Sequence, residues 1–337
     1  MDAFTHGLAS YCVTRAAFPR AARATMLAAI LAGSVANIDQ FSGTVGPSAY
    51  LAWHRTVTHS MLGTLVIAII FSVAAAFATR RQPNADRLRT ILLAVLAACA
   101  LHVAMDLTQN EGVQLLWPFR AQRYSADWVA YFDLWILLIL LTGALLPQLL
   151  ALVTEEIGAK SKAPRGRIGA IIALLAVFLY IGTRFILQGN AVAAMEARTY
   201  RGELPRRVAA FAESDSPFHW HGIVETERAL HDLDLNVAPG SSFSPDAAVV
   251  SYKPEASAPL DAARSTESVR RFLQAAKFPK ASVEKTNTGY RVQIRDLAEP
   301  RDARSGLRVM AIAETDPNGK VLTDELAWDQ KKLSVIF

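Results

Sequence analysis

Cysteine is nearly missing from this chain: 337 residues hold only Cys12 and Cys99, and none follows. That excludes a disulfide framework or a zinc ribbon from the C-terminal part. Charge is sparse as well. Asp, Glu, Lys and Arg make 19% of the chain against 52% hydrophobic residues, less charge than a soluble enzyme of this length carries. The formal charge of +5 is modest, and Arg and Lys gather in short clusters between apolar runs. Such clustering is a topology signal rather than a nucleic-acid footprint, so no direct nucleic-acid binding is expected. Internal repeats and a DNA-reading motif are missing. So is a recognisable secretory signal, because Met1-Asp2 opens without a basic stretch and no small-residue cleavage site follows an apolar core.

What is present divides in two. Up to about Leu187 the chain is dominated by apolar runs, and beyond Gln188 it reads as an ordinary soluble domain. Runs 60–79, 88–107, 129–153 and 168–187 are long enough to cross a bilayer, which takes about 20 residues. Two shorter, small-residue-rich segments precede them, 4–17 and 23–38, with Pro19 between. They read as a helical hairpin packed into the bundle. Basic clusters at Arg15/Arg20/Arg23, Arg80/Arg81/Arg87/Arg89 and Lys160/Lys162/Arg165/Arg167 fall in alternate connections. By the positive-inside rule these face the cytoplasm, which places the C-terminal domain outside. Arg120 and Arg123, in an outside connection, run against that rule.

The expected architecture is an α-helical membrane bundle of four transmembrane helices plus the N-terminal hairpin, followed by a small soluble α+β domain. The boundaries are 1–190 and 191–337. In the soluble part, 218–226, 247–252, 290–294 and 307–314 read as strands by alternation and β-branched content. Residues 265–276 read as a helix with Val269, Phe272 and Leu273 on one face.

Ionisable residues at membrane depth are costly and usually functional. Here they recur in a pattern. Asp2 and His6 are four apart, Asp39 ends the second segment, His54-Arg55 and Thr58-His59-Ser60 precede the third, and His102 and Asp106 are again four apart. Counting crossings brings all of them to one membrane face, whichever way the bundle is inserted. Imidazoles and carboxylates gathered without cysteine suit a divalent transition metal, zinc first, with manganese or iron as alternatives. His6, Asp39, His54, His59, His102 and Asp106 are the expected metal residues. Arg55 and Asp2 are the expected catalytic ones: Arg55 to neutralise developing charge, Asp2 as ligand or as the group that orients His6. Each residue alone has a plainer reading, as a cap or a satisfied core group, and Thr58-His59-Ser60 in particular fits an N-cap. His219-Trp220-His221 places two imidazoles on one strand face with no carboxylate spacing to complete a site. His231 reads as surface. Asp133 either faces the cluster or caps the fifth segment. Trp117-Pro118-Phe119 reads as a rigid turn anchored at the membrane interface.

These same residues carry a resemblance. Met1-Asp2-x-x-Thr5-His6, Asn37-Ile38-Asp39, Tyr50-x-x-x-His54-Arg55-x-x-Thr58-His59-Ser60, His102-x-x-x-Asp106-x-Thr108, Gly112 and Pro118-Phe119 agree in order and spacing with one family. It is the membrane-bound metal-dependent hydrolase family, the YdjM/YfhP-like group, also described as LexA-binding, inner-membrane-associated hydrolases. The resemblance covers the membrane half, and the tail is similar only loosely. There are departures. Asn37 and Ala36 stand where the family has Asp and Pro, Gln109 where it has Asn, and Ser10 where it has Gly. Asn is a poorer metal ligand than Asp, so a site relying on both carboxylates is in question.

The resemblance implies a multi-pass protein of a bacterial-type inner membrane, and the basic clusters put the site and the C-terminal domain on its extracytoplasmic side. It also implies a metal-activated water acting on a phosphoester or lipid-like substrate. Two other classes stay open. One is a non-enzymatic membrane protein whose soluble domain binds a protein partner. The other is a proton-coupled transporter, which the one-sided position of the cluster disfavours.

Overall fold

The computed structural model describes residues 1–79, 84–156, 166–299 and 307–329, with side chains described throughout except at 151–156. The basic residues Arg80, Arg81, Lys160, Lys162 and Arg165 lie outside the described residues. The chain forms two compact units. The first comprises Met1–Asp39, Arg55–Ala126 and Tyr131–Arg184; the second comprises Gln40–His54, Asp127–Ala130 and Phe185–Phe337.

Helices α1 (Ala3–Ala17), α2 (Arg23–Val35), α4 (Met61–Ala78), α5 (Ala85–Leu107), α6 (Leu134–Glu156) and the first part of α7 (Arg167–Glu196) make the first unit. Local chemistry sets where they start. Asp2 caps α1, Ser60 caps α4 through Gly63 N–H, Asn84 caps α5 through Arg87 N–H, and Asp133 caps α6 through the amides of Trp135 and Ile136. A 3₁₀ turn, Ala36–Thr44, continues α2.

Among the described residues, four helical segments are long and apolar enough to cross a membrane: Arg23–Thr44, Met61–Ala78, Ala85–Leu107 and Arg167–Glu196. The run 129–153 becomes helical at Leu134, with Asp133 as the cap, and continues as the 23-residue helix α6 to Glu156. Arg23–Thr44 reaches spanning length through its 3₁₀ extension. Half of the apolar window of α5 is buried against 11% for α4, so α5 is the bundle's centre. Around it pack Ala28, Ala29, Ala32, Ala68, Ala75, Ile91, Val95 and Ala98. Small side chains let the helices approach closely where lipid offers no hydrophobic drive to association. Ile69, Ile70 and Phe77 on α4, and Ile172, Phe178 and Leu179 on α7, stay exposed, as lipid-facing positions do.

The second unit is built on two four-stranded antiparallel meanders. The first contains β1 (Arg207–Ala212), β2 (His219–Glu225), β3 (Ala229–Asn236) and β4 (Val249–Tyr252); the second contains β5 (Pro279–Lys285), β6 (Tyr290–Asp296), β7 (Val309–Thr315) and β8 (Val321–Trp328). Helices α8 (Ala258–Ser265) and α9 (Glu267–Ala275) join them and cover the second sheet with Leu260, Val269 and Phe272. Ala191 and Met195 of α7 pack on the first sheet with Trp220, Leu233 and Leu235. Gly222 makes this approach feasible, since an added Cβ would lie 2.6 Å from Met195 Sδ. The same unit takes in Gln40–His54, whose helix α3 (Pro47–Trp53) delivers Tyr50 into the core of the second sheet. The tail is therefore α+β, as expected. β1, β3, β5 and β8 were not anticipated, being rich in Ala, Asp, Lys or Glu, residues that strands disfavour.

Candidate metal centre

The site is centred on Asp106, in the last turn of α5 and fully buried. Four residues earlier on the same face, His102 places Nε2 3.2 Å from Asp106 Oδ2. His6, from the first turns of α1, places Nε2 3.1 Å from Asp106 Oδ1. His59, from the connection before α4, places Nε2 3.0 Å from Asp106 Oδ2. The His6 and His102 rings are 3.8 Å apart and those of His59 and His102 4.9 Å. One ligand atom each from His6, His102 and Asp106 can lie within 4.8 Å of the others, the spacing of a metal site.

Partners on the far sides of the rings fix their roles. His102 Nδ1 sits 2.7 Å from the Gly33 carbonyl, which can only accept, so Nδ1 carries the proton and Nε2 presents a lone pair. His59 Nδ1 sits 3.0 Å from Asp39 Oδ2, and Thr58 Oγ1 donates to that same oxygen over 2.8 Å. Asp39 thus orients His59 from behind, which is how carboxylates commonly support a ligating imidazole. Burial alone would lower the His59 imidazole; Asp106 and Asp39 outweigh it and raise the group above its ordinary value.

A donor test follows from what these atoms do not do. His59 Nε2, His102 Nε2 and Asp106 Oδ2 are buried and close, yet make no hydrogen bond among the described residues; His6 Nδ1 makes none either. Buried polar atoms are normally satisfied. Imidazole nitrogens and a carboxylate oxygen that converge at this spacing are a donor set that could hold a divalent metal, although Asp106 Oδ1 also accepts from the Met1 ammonium.

Arg55 lies beside this centre, 1% exposed, with Nη2 3.6 Å from Asp106 Oδ1 and 2.6 Å from Gln109 Oε1. Its Nε meets Glu111 Oε2 at 2.8 Å, and its guanidinium carbon lies 5.9 Å from the centre of the Tyr131 ring. The backbone holds Arg55 at φ 56°, a region few non-glycine residues enter. That turn sends its N–H to Asp39 Oδ2 over 2.8 Å and its C=O to Gln114 N–H over 3.0 Å. Met61 N–H to Leu115 O, at 2.9 Å, ties the same two connections together.

Five of the residues singled out in the sequence, His6, Asp39, His59, His102 and Asp106, come together with Arg55. His54 belongs to the second unit, its ring stacked 4.5 Å from Tyr50. Asp2 accepts from the Thr5 amide and hydroxyl as the cap of α1. Asn37 donates Nδ2–H to the Met1 carbonyl over 2.9 Å, a bond an ionised Asp could not make. The Met1 nitrogen lies 2.6 Å from Asp106 Oδ1 and 2.7 Å from Gln109 Oε1. Gln109 and Glu111 escaped the sequence reading as site residues, and their position just past Asp106 was the available signal. Asp133 faces away, accepting from Tyr180 OH as well as capping α6.

In the second unit, His231 is 2% exposed with its ring 5.1 Å from that of Tyr200, so it is a core residue and not a surface one. His219 and His221 do find carboxylates, supplied by neighbouring segments. His219 Nδ1 meets Asp215 at 2.8 Å and His221 Nε2 meets Asp232 at 2.9 Å. Each pairs separately, and no metal-like grouping forms there among the described residues.

Comparison with curated proteins and with solved structures finds no match. A sequence model of one family matches residues 1–191, more than half of the chain and every residue of the centre described above. The chain belongs to the YdjM inner membrane protein family.

Proposed function

We propose that this chain is a membrane-embedded metal-dependent hydrolase that cleaves a phosphoester, with a lipid headgroup as the first substrate class. The observation that carries the reading is the convergence of His6, His59 and His102 on Asp106, with His59 Nε2, His102 Nε2 and Asp106 Oδ2 buried and without hydrogen bonds among the described residues. His6, His59, His102 and Asp106 would hold the metal, and a nitrogen-and-oxygen donor set without thiolate favours zinc, with manganese or iron next. Bound there, zinc supplies Lewis acidity and a water acidified to near neutrality. The chain's own groups do the rest. Gly33 O holds the His102 tautomer, Asp39 holds His59, and burial keeps bulk water from screening their charges. Arg55 presents a planar, permanently charged fork to phosphoryl oxygens. A substrate drawn from the bilayer suits an inner-membrane protein, and the basic clusters favour a site and C-terminal unit on the extracytoplasmic side.

The test uses the full chain in detergent, zinc-loaded or chelator-treated, with bis(p-nitrophenyl) phosphate and a short-chain phosphatidylethanolamine as probes. Product release that chelation abolishes is expected. Arg55→Lys, which keeps the charge and loses the fork, should retain metal and lose about 100-fold in kcat. Equal release with and without metal, or none from either probe, rejects the phosphoesterase reading.

A further inference from the structure

Three connections of the first unit, 15–23, 80–89 and 155–167, hold eleven Lys and Arg against three carboxylates, Asp86, Glu155 and Glu156. A small part of this charge is organised. At the C-terminal end of α1, polar side chains converge where α7 begins. Arg167 donates Nε–H to the Ala16 carbonyl over 3.2 Å. Gln148 of α6 donates Nε2–H to Tyr11 OH over 3.1 Å. Arg15 reaches the Pro19 carbonyl with Nη1 at 3.4 Å. Gly166, the residue before α7, marks the middle of the group. The place its Cβ would take lies 3.3 Å from Gln148 Nε2, 3.5 Å from Tyr11 OH and 3.8 Å from Arg15 Nε, and glycine leaves that place open. All of these residues belong to the first unit. The His6 end of α1 is nine residues away from Arg15, about 14 Å of helix, so the group is separate from the metal centre.

The group is rich in donors. Tyr11 OH accepts from Gln148, which leaves its own proton to give, and no acceptor takes that proton among the described residues. Arg167 uses Nε on Ala16, and no carboxylate pairs with Arg167, Arg20 or Arg23 among the described residues. Arg20 and Arg23, both exposed, lie in the turn that Arg15 reaches across. Guanidinium groups cannot give up their charge, and gathered without carboxylates they repel one another until an anion joins them. Their forks match the oxygens of a phosphate.

The position says which phosphate. Arg167 opens the apolar span Arg167–Glu196, so the group stands where a span meets lipid headgroups. Directly along α7, Ile168, Ile172 and Leu175 fall on one face and are exposed. A free phosphate has no use for that stripe, whereas a lipid lays its acyl chains on it. We propose that this end of the first unit binds an anionic phospholipid. Arg167 and Arg15 hold its phosphodiester, Tyr11 donates to a phosphate oxygen, and the acyl chains lie along Ile168, Ile172 and Leu175. Basic pockets between transmembrane helices take such headgroups by the same chemistry.

Native mass spectrometry tests it by counting lipids on the full chain released from detergent, after incubation with phosphatidylglycerol or with phosphatidylcholine. The wild type should hold one phosphatidylglycerol at a concentration about tenfold or more below that needed for phosphatidylcholine. Arg15→Gln/Arg167→Gln should weaken phosphatidylglycerol about thirtyfold, the worth of two such charges at an anionic surface. Tyr11→Phe should weaken it about threefold to tenfold, the worth of one hydrogen bond. Arg87→Gln/Arg89→Gln removes the same charge from the start of α5 and should leave binding unchanged. If the Arg15/Arg167 variant does not fold, Tyr11→Phe carries the test. Equal binding of the two lipids, equal losses in the two arginine pairs, or wild-type binding by Tyr11→Phe overturns the site and leaves a diffuse basic belt. Displacement of phosphatidylglycerol by millimolar inorganic phosphate overturns the lipid as its occupant. None of these readouts depends on metal or on activity.

Discussion

At the scale of residues, Asp106 and Asp39 are both buried carboxylates beside His59, yet they face opposite nitrogens of its ring. Their substitutions should therefore differ in kind. Asp106→Asn removes the charge around which the imidazoles converge, and zinc binding should be lost. Asp39→Asn leaves the ligand atoms in place but weakens the hold on His59 Nδ1, so zinc affinity should fall about 10–100-fold with stoichiometry unchanged. Competition against a chelator of known affinity measures both; equal losses in the two variants would make Asp39 a ligand instead of a support. The residue types of this buried cluster were legible in the sequence because His and Asp have no cheap place in an apolar bundle. Which nitrogen each partner takes was not legible. That depends on Thr58 donating to Asp39 and on the Gly33 carbonyl behind His102, contacts that no spacing rule encodes.

Elements show the same division between pattern and packing. Apolar runs and the caps Ser60 and Asn84 announce α4 and α5, whereas the start of α6 turned on whether Asp133 caps or faces the site. Close packing of α6 on α7 rests on Gly143 and Gly169: a Cβ at Gly143 would fall 2.3 Å from Ala173 Cβ and 2.8 Å from the Gly169 carbonyl. Because backbone cannot swing aside, Gly143→Ala should force the helices apart and destabilise the bundle by about 1–3 kcal/mol. Gly182, also on α7, has nothing within 4 Å of its would-be Cβ, and Gly182→Ala should be neutral or gain up to about 1 kcal/mol from helix propensity. Unfolding followed by helical circular dichroism separates the two, and equal effects would mean the close approach is not a determinant of stability.

In the β1–β4 sheet, burial, together with the charge of Arg201, holds the His231 imidazole below its ordinary value. The unfolded chain then takes up a proton that the folded sheet refuses, so this stability is complete above about pH 6.5 and is lost as pH falls toward the depressed folded value. The melting point of the second unit, read from buried Trp220, should fall between about pH 7.5 and about pH 5.5, and His231→Gln should flatten that slope. An unchanged slope would assign the acid sensitivity to other groups.

On the scale of the whole molecule, the apolar helical character of the first half and the α+β character of the tail could be read directly from hydropathy and alternation. Three facts could not. Tyr50 is drawn into a sheet core some two hundred residues away in sequence, and His54 stacks on its ring. Arg23–Thr44 reaches spanning length only by adding a 3₁₀ turn that no apolar periodicity marks. The carboxylate partners of His219 and His221 come from outside their own strand. The first is a long-range contact, and the other two depend on turns and irregular backbone that a hydropathy pattern does not mark.

The central claim, a metal centre built by His6, His59, His102 and Asp106, is tested most directly by elemental analysis. The full chain, purified in detergent without a His-tag, is compared with a His59→Ala/His102→Ala double variant. About one equivalent of zinc, manganese or iron in the wild type, lost in the variant, is the result expected. Metal lacking from both after reconstitution, or retained in full by the variant, would contradict it and leave the buried His/Asp cluster a structural or proton-handling feature of a non-enzymatic membrane protein.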